Sequence, residues 1–120
     1  MAKRSKIRIS DFRPSGQDTI TFDTNILIKL LYPAMNDANM RVYENLYAKV
    51  LQEKSKLIIS SIQISEFINR CIRFQFQLYQ KVQNDTTIEF KKDYRDTDDY
   101  RASMEAILDI INSDIIPNYL

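Results

Sequence analysis

The chain has 120 residues, 44% of them apolar, and 17 basic against 16 acidic side chains leave a net charge of +1. That is the length of one domain with material for a core, which excludes wholesale disorder and a bulk polycation; any nucleic-acid contact must come from a local patch. The absence of histidine, with one glycine (Gly16) and one cysteine (Cys71), excludes Ser-His-Asp and Cys-His nucleophiles, an imidazole zinc site, the P-loop, the dinucleotide fingerprint and a disulfide framework.

Residues 1–18 form a basic lead carrying Lys3, Arg4, Lys6 and Arg8, with Ile7 and Ile9 predicting an edge segment. No apolar stretch comes after the basic residues, so the lead is not a secretory signal. No apolar run approaches the roughly 20 residues of a membrane helix. The expected location is cytoplasmic. Pro14-Ser15-Gly16 predicts a turn, and Thr19–Asp23 predicts a first strand with Ile20 and Phe22 buried. Asp23, Thr24 and Asn25 are all residue types that cap helix starts, and Ile26–Leu31 continues as helix. A carboxylate at the carboxyl end of a strand, beside a helix start, lies where open α/β sheets build their sites. It also offers a divalent cation the hard oxygen ligand it needs. The competing reading is that Asp23 only caps the helix.

Pro33 and Asn36-Asp37-Ala38-Asn39 interrupt the pattern. Tyr43, Leu46, Tyr47, Val50 and Leu51 then recur at helical spacing. Leu57-Ile58-Ile59 predicts a second strand. Strand, helix and second strand together predict a parallel crossover, which brings both carboxyl ends to one edge of the sheet. Past Ser60-Ser61, the apolar positions Ile64, Phe67, Ile68, Cys71, Phe74 and Leu78 predict a long helix with Glu66 near its start, where an acid also suits the helix dipole. Asn84-Asp85-Thr86-Thr87 interrupts that helix, and Phe90, Lys91, Lys92 and Tyr94 predict a further helical stretch. Asp93, Asp96, Asp98 and Asp99 around Thr97 read as the capping start of a last helix, whose apolar positions are Tyr100, Met104, Ile107, Leu108 and Ile111. Ile115-Ile116 predicts the start of a third strand, confined by Pro117 to an end or an edge.

DTNILI after an apolar strand resembles the opening motif of PIN-domain nucleases, a family that includes toxins of toxin–antitoxin pairs. LIISSIQISEFINR, holding Glu66, is similar to the segment that carries the family's second acidic ligand. The resemblance spans residues 19–120. It implies an α/β, PIN-like three-layer fold with a parallel sheet, truncated before its C-terminal strands, so that residues 19–120 are the front half of a domain. It implies a metal-dependent ribonuclease, a hydrolase of RNA phosphodiester bonds, with Asp23 and Glu66 as catalytic metal ligands for Mg²⁺ or Mn²⁺ and Thr24 and Asn25 in support. RNA is the implied substrate, with an antitoxin protein or a second copy of the chain as partner and no membrane. Of the family's later acids none is matched; Asp98, Asp99, Asp109 and Asp114 are the candidates and none is carried over.

Two other functions remain open at this stage. The chain can be a non-catalytic interaction or oligomerisation module, a reading favoured by the aromatic-rich helix after Phe67. It can also be a non-catalytic RNA-binding domain, against which the near-zero net charge counts. Arg70 and Arg73 are candidates for phosphate contacts, with a solvated surface as the alternative. Phe74, Phe76 and Tyr79 are candidates for base stacking, with core packing as the alternative.

Overall fold

The predicted turn forms in the computed structural model, which describes residues 11–119: the Ser15 N–H donates to Asp18 Oδ2 at 2.8 Å and the Asp18 N–H to the Ser15 carbonyl at 3.1 Å. Ile7, Ile9 and the basic side chains before them lie outside the described residues. The Ser55 hydroxyl closes onto the Ser15 carbonyl at 2.6 Å. This aligns strand β1 (Thr19–Ile20) with strand β2 (Lys56–Leu57), paired in parallel with Thr19 opposite Lys56 and Ile20 opposite Leu57. Helices α1 (Thr24–Leu31) and α2 (Arg41–Gln52) make the crossover between them, as the sequence predicts.

α1 turns Thr24, Leu27 and Ile28 inward, the i, i+3, i+4 stripe of an amphipathic helix. Two single 3-10 turns, Pro33–Met35 and Ala38–Met40, lead into α2. Asp37 starts the second of them by accepting the Asn39 N–H at 2.9 Å, and Lys29 Nζ lies 3.2 Å from its other oxygen. The Lys29 ammonium, then the Asn39 amide, holds the Asp37 carboxyl below its ordinary range. The pair is exposed, so it adds little to stability. Phe22, Leu27, Ile28, Tyr32, Met40, Val50 and Leu57 make the core of this unit. Tyr119 closes it, through a parallel bridge to Leu57 and a hydroxyl bond to Tyr47 at 3.1 Å.

Two compact units divide the chain: Met1–Ile58 with Asn118–Leu120, and Ile59–Pro117. The second is helical. Helix α3 (Ser61–Gln83) begins with a complete capping box, in which Ser60 Oγ accepts the Gln63 N–H and Gln63 Oε1 accepts the Ser60 N–H, each at 3.1 Å. Ser60→Ala is expected to lower the stability of this unit by about 1 kcal/mol, read from urea unfolding. α3 ends at Asn84, which takes the left-handed conformation (φ 52°) that Asn tolerates. Asp85 then accepts both the hydroxyl and the N–H of Thr87, and these bonds draw its carboxyl below the usual range.

Tyr94 organises the segment between α3 and the last helix. It is fully buried, with ring centroids of Phe76, Tyr79, Phe90 and Tyr100 at 5.1–5.8 Å, the range of favourable tilted and edge-to-face pairs. Its hydroxyl donates to Asp99 Oδ2 at 2.6 Å. Phe90–Tyr94 is therefore a set of turns with one 3-10 turn at Tyr94–Asp96, rather than the predicted helical stretch. Thr97 caps helix α4 (Asp98–Ile110) by accepting the Tyr100 N–H at 3.1 Å, with Asp98 and Asp99 in the first turn. The acidic cluster is thus the predicted helix start. Leu108, predicted to be inward, is 43% exposed, whereas Ile107 and Ile111 are buried.

The three-layer α/β, PIN-like fold with a parallel sheet is not what this chain forms. Helix occupies 65% of the described residues and strand 5%, with a single two-stranded parallel sheet. The helix after β2 forms as predicted, α3 running unbroken for 23 residues, so the physical reason lies after α4. No Gly or Pro separates Ile111 from Ile116. The chain leaves α4 through a π-helical segment, Ile111–Ile115, burying Ile111 and Ile115, so the predicted third strand at Ile115-Ile116 does not form. The bridge at Tyr119 is the only further β pairing among the described residues. No helix among them is long and apolar enough to cross a membrane.

Cys71 sits on the inner face of α3 with no exposure, and burial pushes its thiol up to about 12. The thiolate is the nucleophile, so native protein is expected to resist iodoacetamide at pH 8 and to be alkylated once unfolded. The sign for stability comes from linkage. Above pH 9 the unfolded thiol ionises while the folded one stays protonated, so stability falls as pH rises from 9 towards about 12.

Candidate metal and phosphodiester site

Asp23 stands in extended backbone (φ −60°, ψ 148°) at the start of α1, and its carbonyl accepts the Leu27 N–H at 3.0 Å. The side chain makes no capping bond. The simple capping reading of this residue is therefore not the one the structure supports. The carboxylate is exposed and takes part in no ion pair or side-chain hydrogen bond among the described residues. Thr24 is 5% exposed and belongs to the inward stripe, where it seats the helix start on the core. Asn25 is exposed beside Asp23. Of the three, Thr24 is buried and Asp23 and Asn25 are exposed residues.

Glu66 lies on the second turn of α3, exposed and outside every ion pair and side-chain hydrogen bond described. Its neighbour Phe67 is the inward residue, with Cys71 and Ile72 one turn on. Asp23 belongs to the first compact unit and Glu66 to the second. Among the described residues no group of three or more acidic or cysteine side chains is assembled to hold a metal. The later acids are occupied or apart: Asp98 pairs with Arg101 at 2.9 Å and Asp99 accepts the Tyr94 hydroxyl. The donor chemistry nevertheless suits Mg²⁺ or Mn²⁺, because such ions are commonly held by one or two carboxylates with water completing the shell. An exposed carboxylate with no protein partner, as at Asp23, offers such a ligand.

The aromatic candidates resolve differently from the basic ones. Phe76 and Tyr79 pack on Tyr94, so both serve the core. Arg73 lays its guanidinium 3.8 Å from the centroid of the Phe90 ring. Beside that ring lies a groove of about 290 Å³, lined by Ser65, Asn69 and Ile72 of α3 and by Phe90, Arg95 and Tyr100 among others. Sequence periodicity does not find it, since its walls come from three segments up to 39 residues apart in the chain (Ser65 to Met104). The one available signal is Phe90 with Lys91, Lys92 and Arg95 after it, an aromatic among cations. No family model matches the chain, and no curated protein or solved structure matches it.

Proposed function

We propose that the chain is a metal-dependent ribonuclease of the PIN type in its chemistry, with Asp23 and Glu66 as its acidic ligands. The observation that carries this reading is the Asp23 carboxylate, which is exposed and does not cap the helix it begins. A helix-start Asp without a capping bond is one whose oxygens stay available. The place of Asp23, just after β1 in a parallel crossover, is where the carboxyl ends of strands collect functional groups. Asp23 would give Mg²⁺ or Mn²⁺ a carboxylate ligand, with Asn25 beside it as the supporting amide, and Glu66 on α3 is the second acidic candidate. Bound there, the ion would supply Lewis-acid stabilisation of phosphate charge and a lowered water pKa. Thr24 keeps the start of α1 rigid, which fixes where Asp23 sits. Arg70 and Arg73 come four and seven residues after Glu66, on one face of α3, and suit a phosphodiester backbone.

A labelled single-stranded RNA incubated with the chain in Mn²⁺ tests this, with EDTA, Asp23→Asn and Glu66→Gln as controls. Cleavage lost in all three controls is the expected result; cleavage that survives both substitutions sinks the reading. The second reading, a non-catalytic protein-interaction module, is favoured by apolar residues left in water on the second unit: Ile62 is 69%, Val82 80% and Ile116 63% exposed. It predicts no change in thermal stability with Mn²⁺.

A further inference from the structure

The groove beside Phe90 has the makings of a binding site. Its lining includes the aromatic Phe90 and Tyr100 and the apolar Ile68, Ile72 and Met104, and Ser65 and Asn69 add a hydroxyl and an amide. Its charged member, Arg95, has no ion-pair or side-chain hydrogen-bond partner among the described residues. Three nearby carboxylates are engaged, Asp93 by the Glu89 N–H, Asp98 by Arg101 and Asp99 by the Tyr94 hydroxyl. Arg73, stacked on Phe90, adds a second cation at this edge. An open groove with aromatic, amide and hydroxyl groups and a guanidinium without an ion-pair partner is complementary to a nucleobase joined to a phosphate, since aromatic faces stack on bases and arginines bind phosphate.

Register links the groove to Glu66. Asn69, which lines it, stands three residues after Glu66, about 4.5 Å along the helix axis. Glu66, Asn69, Arg70 and Arg73 share one face of α3 by their i, i+3, i+4, i+7 spacing. We propose that the groove is a nucleotide subsite, taking one base of a single-stranded RNA whose backbone runs along this face of α3. The proposal rests on the ribonuclease reading and deepens it: a slot for an unstacked base selects single strands over duplex.

Binding measured in EDTA separates the two. Fluorescein-labelled hexauridylate, tracked by anisotropy without divalent metal, is expected to bind, with Arg95→Glu weakening it about tenfold and Asn69→Leu weakening it further. A duplex of equal length should bind at least about tenfold more weakly. Both groove residues are exposed, and a circular dichroism melt of each variant checks that the fold is kept. Amide shifts in NMR spectra of unsubstituted protein, confined to Ser65, Asn69, Phe90, Arg95 and Tyr100, give the same answer without a mutation. Undiminished binding by Arg95→Glu and Asn69→Leu, no binding by the unsubstituted chain, or equal competition from an acidic phenylalanine-containing peptide overturns the subsite. Hexauridylate binding without Mn²⁺-dependent cleavage would keep the subsite and remove the nuclease. Cleavage with no effect of the groove variants would do the reverse.

Discussion

Asp23→Asn is expected to abolish Mn²⁺-dependent cleavage of single-stranded RNA, by at least about 100-fold, while leaving the fold intact. The size comes from the role. Partners that only orient a metal ligand cost about 10–100-fold when removed, and a direct carboxylate ligand should cost no less. The selectivity comes from the structure. Asp23 is exposed and makes no capping bond, and Asn caps as well as Asp does, so α1 loses nothing. Folding stability in EDTA should stay within about 0.5 kcal/mol of the unsubstituted chain. A thermal melt adds an independent reading. An ion that binds only the folded chain stabilises it by mass action, about 2.7 kcal/mol at roughly a hundred times its Kd. Mn²⁺ should therefore raise the Tm of the unsubstituted protein and not of Asp23→Asn. Equal Mn²⁺ shifts in both would show that Asp23 is not a ligand.

Tyr94→Ala is expected to destabilise the second unit by about 3–5 kcal/mol, the usual cost of deleting a large buried aromatic. Against the roughly 5–15 kcal/mol of a typical domain this is a large share. The ring meets Phe76, Tyr79, Phe90 and Tyr100, and each such pair contributes about 0.5–1.5 kcal/mol beyond simple burial. Tyr94→Phe keeps every ring contact and removes the hydroxyl with its bond to Asp99. Asp99 is exposed and can take water in its place, so this variant should cost about 1 kcal/mol. Urea unfolding of the two variants decides the matter. If they cost the same, the aromatic cluster is not the core of this unit.

Much of the local structure was legible in the residues themselves. Thr97 among its aspartates, Ser60 with Gln63, and the turn at Ser15–Asp18 form as their side-chain chemistry requires, because caps and turns are closed by groups within a few residues of each other. The parallel crossover was legible too, although the first strand is only Thr19–Ile20 of the predicted Thr19–Asp23 and Ile20 is half-buried where Leu57 is buried. The path of the chain beyond α4 was not. Ile115-Ile116 has the composition of a strand, yet a strand forms only with a neighbour to pair with, and the backbone hydrogen bonds of α4 were already propagating into it. The sheet consequently stops at two strands and one bridge. The same division runs through the sites. The sequence alone, without histidine and with a single glycine, left carboxylates, lysines and tyrosines for any catalysis, and it singled out Asp23 and Glu66 as the candidate ligands. Only the tertiary structure decided that Asp23 is exposed and uncommitted while Thr24 is buried, that Phe76 and Tyr79 belong to the core, and that Asn69, Phe90 and Arg95 line one groove. Those outcomes depend on which face each helix buries and which distant segment covers it, and no window of sequence contains both partners.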